Sequence, residues 1–216
     1  MTAVDVTARV VEVRERIARA GGTNVALIAV TKSFDHQSWV AAHAAGCDGI
    51  GENYAQELLA KHDEGSSALP VHFIGRVQTN KVRSLIDVVN VWQSVDRGSV
   101  IDEIAKRATG PAPRIFLQVN TSGEESKSGC APGELDALVE RARDRGLVLD
   151  GLMTIGPTSG EERATRAAFR QLRRLVDDHG LAQCSMGMSG DLEIAVEEGS
   201  TMVRVGSALF GPRPSP

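Results

Sequence analysis

Short apolar segments alternate with amphipathic segments along nearly the whole chain. The apolar segments carry little polar alternation, which is typical of parallel strands that are buried on both faces. The segments between them have apolar residues at helical spacing and are bounded by glycine, proline or small polar residues. The pattern predicts eight strands, at Ala26–Lys32, Cys47–Asn53, Pro70–Gly75, Val88–Val95, Arg114–Asn120, Val148–Ile155, Ala182–Met186 and Thr201–Val205.

Helices are predicted before the first strand and between successive strands. The N-terminal segment Val4–Ala20 has apolar residues at positions 6, 10, 13 and 17, and Gly21-Gly22 ends it. Eight strands that alternate with helices at short spacing predict a closed, parallel (β/α)8 TIM-type barrel with an extra N-terminal helix. An open doubly wound sheet is the alternative. The other predicted helices are His36–Ala45, Tyr54–His62, Gln78–Ile86, Gly98–Ala108, Gly133–Arg145, Glu161–His179 and Asp191–Glu198.

The amino-acid composition limits the number of domains and the kinds of partner that the chain can have. The chain has 216 residues, of which 42% are hydrophobic and 24% charged, and no composition shift suggests a boundary, so residues 1–216 are expected to form a single α/β domain. Because the chain reaches Pro212 where an eighth helix would begin, we expect the N-terminal helix to cover that gap. A net charge of −4 and the lack of a long apolar run argue against nucleic-acid and membrane partners.

The cysteines bear on the cellular compartment. Cys47, Cys130 and Cys184 are odd in number, far apart and without a CxxC motif. This usage favours reduced thiols, and with no signal-peptide apolar region it predicts a cytoplasmic protein. Neither the histidines nor the cysteines show metal-ligand spacing, so no metal site is expected.

Two basic residues stand out in predicted strands. Lys32 shares parity with Ile28 and Val30, so its side chain is expected on the core face, at the strand end where barrels place their active sites. It either reaches solvent at the rim or is desolvated, and a desolvated lysine is a candidate for Schiff-base formation. Arg204 lies between two valines and needs an acceptor, for which a structural ion pair with a barrel carboxylate is the simplest alternative.

Turns of small residues follow the last two predicted strands. They are SMGMSG at 185–190 and GSALFG at 206–211. Loops after the seventh and eighth strands of a barrel commonly hold a phosphate, since close backbone N–H groups and a helix N-terminus favour an anion. Ordinary loop glycines and serines are the alternative. Asp191 and Glu193 would compete with a bound anion, so a phosphate site requires that both point away.

Several stretches together resemble one family, the pyridoxal 5′-phosphate (PLP) homeostasis proteins, which are similar in fold to the barrel domain of bacterial alanine racemases. The stretches run in order over nearly the whole chain. The resemblance implies PLP as the cofactor and a fold-type-III barrel without the C-terminal β-domain of the racemases. The matching stretches are AVTK ending at Lys32, GENYAQE (51–57), HFIGRVQTNK (72–81), VNTSGEESKSG (119–129), GLMTIGP (151–157) and SMGMSGDLEIAVEEGSTMVRVGSALFG (185–211).

The resemblance also implies roles for individual residues. PLP would form a Schiff base with Lys32, and its phosphate would be held by Ser189, Gly206 and Ser207. Arg204 would face the pyridine nitrogen, which then stays unprotonated and makes the cofactor a poorer electron sink than an aspartate partner would. Two further residues would line the cofactor. The implied cofactor-binding set is therefore Lys32, Asn53, Met153, Ser189, Arg204, Gly206 and Ser207.

Two functions follow from this resemblance. The first is PLP homeostasis: the protein, a monomer, buffers PLP and delivers it to apo-enzymes without robust turnover. The second is a racemase-like enzyme acting on amino acids. Racemisation needs two positioned bases, and the sequence nominates only Lys32 beside a single tyrosine, Tyr54, so a carrier is favoured over an enzyme. A third hypothesis is a Schiff-base aldolase that acts on a phosphosugar. This function would leave Arg204 without a role.

Overall fold

The structure, a computed structural model, describes residues 5–212. Eight parallel strands form a closed barrel in which each strand pairs with the next and β8 pairs with β1. The predicted (β/α)8 barrel is confirmed, and the open-sheet alternative is wrong. The strands are β1 (Ala26–Val30), β2 (Gly49–Glu52), β3 (Val71–Phe73), β4 (Val91–Val95), β5 (Arg114–Gln118), β6 (Val148–Met153), β7 (Gln183–Ser185) and β8 (Met202–Val205).

Helices follow every strand, and one precedes the first. The predicted start of the N-terminal helix, Val4, lies outside the described residues. A single 3-10 turn, Pro132–Glu134, leads into the sixth helix, and a four-residue helix that the pattern did not predict follows β8. The helices are α1 (Val6–Arg19), α2 (Gln37–Ala44), α3 (Ala55–Glu64), α4 (Thr79–Leu85), α5 (Gly98–Arg107), α6 (Leu135–Asp144), α7 (Glu162–Asp178), α8 (Leu192–Glu197) and α9 (Ser207–Phe210).

The core has two layers because successive strand residues point to opposite faces. One layer lies between the strands and the helices and includes Leu27, Trp92 and Phe169, all fully buried. The other fills the barrel interior and is much smaller, with Ile28, Val91, Phe116, Met153 and Met202 at its centre. The rest of the interior toward the strand ends is therefore available for polar side chains and a ligand.

Helix α1 lies where a full-length eighth helix would pack in a regular barrel. It buries Val10, Val13 and Ile17 and contacts α2, α8 and α9. Because α9 is a single turn, α1 fills the gap between α8 and α2 that α9 leaves open, as expected from the sequence. None of the described helices is long and apolar enough to cross a membrane. That residues 1–216 form one domain stays a prediction, since residues 1–4 and 213–216 lie outside the described part.

Candidate functional site

A cavity of about 310 Å³ opens at the carboxyl ends of the strands, within the size range of small-molecule sites. Its walls come from the carboxyl-terminal ends of β1, β2, β3, β6, β7 and β8 and from the segments that follow them. All seven residues that the sequence nominated line this cavity: Lys32, Asn53, Met153, Ser189, Arg204, Gly206 and Ser207. The other lining residues are Val30, Phe34, Ile74, Ile155, Met188, Gly190 and Gly211.

Lys32 lies two residues beyond the end of β1 rather than in the strand. Its side chain is half-buried in the cavity wall. The next residue, Ser33, has a φ of 66°, the left-handed conformation that residues other than glycine seldom adopt. Strained backbone of this kind persists only where the surroundings enforce it, and it clusters at functional sites. The chain thus turns sharply directly after the lysine.

Arg204 lies at the floor of the cavity and is only 4% exposed. Its Nη1 donates to Ser185 Oγ at 2.8 Å and its Nη2 donates to the Thr154 carbonyl at 2.8 Å. Within residues 5–212 it forms no ion pair, so the alternative of a structural ion pair with a barrel carboxylate is wrong. Burial lowers the pKa of the guanidinium to about 10, and the negative charge of Asp191 partly opposes that shift. The side chain remains charged at neutral pH.

A buried polar network continues from Arg204 into the barrel interior. The Ser185 hydroxyl donates to Gln93 Oε1 at 2.7 Å, and Gln93 Nε2 lies 2.7 Å from His72 Nδ1. Burial, with a smaller contribution from the charge of Arg114, lowers the pKa of His72 to about 4. His72 is therefore neutral at neutral pH, and its Nδ1 accepts from the amide. This network was not predicted from the sequence, although polar residues at interior positions of apolar strands are a signal that could have indicated it.

The loop after β7 and the short helix α9 form one wall of the cavity. Ser189 Oγ accepts a hydrogen bond from the Ala208 backbone N–H at 3.3 Å, which ties the loop to α9. Gly206 precedes α9, and a Cβ at this position would lie 3.2 Å from the Val30 carbonyl oxygen. Glycine thus allows a close approach of this turn to the end of β1.

The two carboxylates that would compete with an anion are both engaged elsewhere. Asp191 Oδ1 accepts from the Met188 backbone N–H at 2.6 Å. Glu193 pairs with Arg16 of α1, at 2.6 Å from Nε and 2.9 Å from Nη2. Neither carboxylate lines the cavity, so the condition that both point away is met. The same Arg16 donates to the Ser189 carbonyl at 3.1 Å, which links α1 to the loop.

Asn53 offers a test of whether the cavity suits a polar aromatic ligand. Its Oδ1 is buried and has no hydrogen-bond partner among the described residues. Buried polar atoms are nearly always paired, so an unpaired one in a cavity wall indicates a place for a ligand group. Met153 and Ile155 provide apolar surface, while Lys32 supplies an amine. These residues fit a flat ring that carries an aldehyde, polar substituents and an anionic group.

Within residues 5–212, the structure contains no cluster of three or more histidine, cysteine or acidic side chains that could hold a metal ion. The three cysteines are buried and free of disulfides. Burial raises the pKa of Cys130 and of Cys184 to about 12, so both are thiols rather than thiolates at neutral pH. None of the three lines the cavity.

Comparison with known sequences gives consistent results. Residues 5–214 match the family described as alanine racemase, N-terminal domain. A pyridoxal phosphate homeostasis protein of Pseudomonas aeruginosa is 44% identical over 215 residues, which cover 96% of this chain and 93% of the relative. Another, of Aquifex aeolicus, is 39% identical over 226 residues, which cover 99% of both chains.

Comparison with solved structures agrees. The structure of PipY of Synechococcus elongatus, with PLP bound, has a TM-score of 0.86 and 31% identity, and the match covers 95% of this chain and 100% of PipY. Alanine racemase of Clostridium difficile has a TM-score of 0.77 at 16% identity, and the match covers 96% of this chain but 57% of the racemase. At that identity, the likeness to the racemase concerns the fold alone.

Proposed function

The chain belongs to the family of pyridoxal phosphate homeostasis proteins, which share the N-terminal barrel of alanine racemase, and we propose that it binds PLP through a Schiff base at Lys32. Its role would be intracellular PLP homeostasis, through buffering and delivery of the cofactor. The observation that carries the proposal is the composition of the cavity at the carboxyl ends of the strands. The cavity brings together an amine, two turns of small residues and a buried arginine. The first and the last of these groups, Lys32 and Ser207, are more than 150 residues apart in the sequence.

PLP supplies an aldehyde for covalent attachment and a phosphate for non-covalent anchoring. Lys32 would supply the amine that bonds to the aldehyde carbon, and the aldehyde oxygen would leave as water. The serines at 189 and 207 and the backbone at Gly206 would receive the phosphate, since hydroxyl and N–H donors at closely approaching turns suit an anion. The unpaired amide oxygen of Asn53 would gain a donor from the ligand.

Arg204 is proposed to face the pyridine nitrogen. A guanidinium carries only donors, so it can donate to that nitrogen but cannot accept a proton from it. Its lowered pKa, about 10, still leaves it charged at neutral pH. The ring nitrogen would therefore remain unprotonated, which disfavours the withdrawal of electrons that amino-acid chemistry on PLP requires.

The cavity also favours a carrier over a racemase-like enzyme. Lys32 and Arg204 are the only ionisable residues among the described residues that line it. Exchange of a proton on both faces of an α-carbon needs two bases, and arginine is not a base at neutral pH. Tyr54 is 51% exposed and lines a neighbouring cleft instead. A racemase-like activity thus lacks its second base.

Delivery to apo PLP-dependent enzymes, a monomeric state and a cytoplasmic location complete the proposal. The cavity opens at the barrel rim, where Ile155 and Met188 are 37% and 39% exposed. A ligand in such a cavity can leave without rearrangement of the barrel. The three free cysteines support a reducing compartment.

The proposal is tested by titrating the protein with PLP and following the visible absorbance of the Schiff base and its loss on borohydride reduction. Lys32→Arg keeps the positive charge but cannot form the bond, so the band should disappear. Lys81→Arg, on α4 beside the neighbouring cleft, is the matched control and should keep it. An unchanged band in Lys32→Arg would refute attachment at this residue.

A further inference from the structure

A buried carboxylate lies directly behind the cavity wall, on the outer face of the barrel. Glu52, the last residue of β2, is fully buried. Its Oε1 accepts from Lys61 Nζ at 2.6 Å, from Thr31 Oγ1 at 2.6 Å and from Trp39 Nε1 at 2.9 Å. Its other oxygen, Oε2, has no hydrogen-bond partner among the described residues. Three donors thus converge on one oxygen of a carboxylate that faces away from the ligand cavity.

Lys61 extends this cluster to the backbone of β1. The side chain comes from α3, is 4% exposed, and donates from Nζ to the Thr31 carbonyl at 2.7 Å as well as to Glu52. Thr31 also donates its backbone N–H to the Gly51 carbonyl at 3.1 Å. The residue that precedes Lys32 is therefore held at its hydroxyl, its carbonyl and its N–H.

The residue that follows Lys32 is held as well. Ser33, in the left-handed conformation, donates its N–H to Glu57 Oε2 of α3 at 2.9 Å. The Phe34 N–H donates to the Thr31 carbonyl at 3.1 Å, which closes the turn. Lys32 thus lies between two anchored residues, and the carboxylate and ammonium anchors come from the β2–α3 segment, while Trp39 of α2 also donates to Thr31 Oγ1 at 3.1 Å.

The energetics argue that this cluster serves more than stability. A buried ion pair is a weak stabiliser compared with apolar residues of the same size, because desolvation of both charges offsets their attraction. Glu52 also leaves one oxygen unpaired, which costs further free energy. What the pair does supply is a defined position for the backbone on either side of Lys32.

We propose that Glu52 and Lys61 are positioning residues for Lys32, and that they hold the end of β1 so that the lysine amine meets the aldehyde of PLP. The inference rests on the proposed function, in which Lys32 forms the covalent bond. Asn53, the next residue after Glu52, lines the cavity from the opposite face of the same strand end. One dipeptide therefore supports the lysine from outside the barrel and contacts the ligand inside it.

The test compares two ligands that differ only at the reacting group. PLP has the aldehyde, whereas pyridoxine 5′-phosphate has an alcohol in its place and binds without a covalent bond. The ratio of the two affinities measures how well the lysine amine is positioned. Glu52→Gln should lower this ratio about 10- to 100-fold, since displacing a reacting group by about 1 Å can cost a factor of that order. Its affinity for pyridoxine 5′-phosphate should stay unchanged.

Three variants separate positioning from loss of folding. Glu52→Gln combined with Lys61→Met removes both buried charges and avoids an uncompensated one, and it should lower the ratio in the same way. Glu57→Ala removes only the side-chain anchor of the Ser33 N–H and should give a smaller decrease. Val139→Ala, in the buried face of α6, is the control for general destabilisation and should leave the ratio unchanged.

The outcomes are distinct. If the wild-type protein binds both ligands equally, the proposed covalent bond is absent and the proposed function fails. If the wild type prefers PLP but Glu52→Gln and the double variant, folded by circular dichroism, keep the full preference, positioning by this pair is wrong. If Val139→Ala lowers the ratio as much as Glu52→Gln at equal thermal stability, the pair acts through stability alone.

Discussion

His72 and Arg204 show how burial sets the charge of individual side chains inside the barrel. Both lie in one hydrogen-bonded network, and burial lowers both pKa values, to about 4 and about 10. At neutral pH the histidine is therefore neutral and the arginine charged. The network thus places a single positive charge beneath the cavity, with neutral partners at Ser185 and Gln93 that do not cancel it.

His72 should make the stability of the cofactor-free protein depend on pH. Because its folded-state pKa of about 4 is below the ordinary value of 6.5, the unfolded chain binds a proton that the folded protein excludes between these pH values. The contribution of His72 to the free energy of unfolding is therefore fully present above about pH 6.5. It is lost as the pH falls toward 4, and the total loss is about 3 kcal/mol. Urea denaturation at pH 7 and at about pH 4.5 measures most of this loss.

His72→Asn keeps an acceptor for Gln93 but cannot be protonated, so it should remove this part of the pH dependence. His62→Asn, on α3, is the control and should behave as the wild type does. An equal loss of stability at low pH in His72→Asn and the wild type would assign the dependence to other groups.

Single residues could be predicted from the sequence only where local pattern was informative. Lys32 shares parity with Ile28 and Val30, and Arg204 lies between two valines. Both patterns predicted side chains inside the barrel, and both residues line the cavity. The partners of Arg204 could not be predicted, because Ser185 and Gln93 approach it only when the barrel closes. The Glu52–Lys61 pair was missed for a related reason, since nothing in a helix pattern shows which lysine turns inward.

At the scale of elements, the order and type of the secondary structure could be predicted more reliably than its ends. The first strand was predicted to end at Lys32 but ends at Val30, because Thr31 to Phe34 form a turn that side chains enforce. Helix α9 was not predicted, since four residues contain too little periodicity to identify a helix. Both differences lie beside the cavity, where the strands end and turns begin.

Helix α1 should contribute to phosphate binding although it does not line the cavity. Arg16 joins Glu193 of α8 and the Ser189 carbonyl, so it holds the loop that carries the Ser189 hydroxyl. Arg16→Leu should weaken PLP binding about 3- to 10-fold, equivalent to about 0.7–1.4 kcal/mol, the net worth of a typical hydrogen bond. Pyridoxal, which has no phosphate, should bind as before in calorimetric titrations.

Two further variants calibrate this result. Ser189→Ala removes the hydroxyl itself and should give a larger loss, about 10- to 150-fold, since a hydrogen bond to a charged group contributes about 1.5–3 kcal/mol. Arg19→Leu, one turn further along α1, removes a surface ion pair with Glu15 at 3.7 Å and no hydrogen bond to Ser189, so it should have little effect. If Arg16→Leu weakens the binding of PLP and of pyridoxal equally, α1 acts on the whole barrel and not on the loop after β7.

At the scale of the whole molecule, closure of the barrel brings the residues of the candidate site together. Pairing of β8 with β1 brings Arg204 and Gly206 beside the end of β1, although they are far from Lys32 in sequence. Regular alternation of strands and helices allowed the barrel and the edge that carries the site to be predicted. The cavity volume and the exposure of its mouth could not be predicted, because they depend on side chains from six separate segments.

The barrel with PLP bound should not exchange the α-protons of amino acids at an enzymatic rate. The described cavity contains a lysine and an arginine as its ionisable groups, and neither supplies a second base. Incubation with alanine in deuterated water, followed by mass spectrometry, should give rates well below about 1 s⁻¹, the low end of ordinary enzyme turnover. Exchange at or above that rate would support a racemase-like enzyme instead of a carrier.

Covalent attachment at Lys32 is the central claim, and one measurement tests it directly. The protein is loaded with PLP, reduced with borohydride, digested and mapped by mass spectrometry. The phosphopyridoxyl group should be found on the peptide that contains Lys32, at close to one group per chain. Finding it chiefly on Lys81 or Lys127, or finding no modified lysine in a protein that nevertheless retains PLP, would show that PLP is not attached at Lys32.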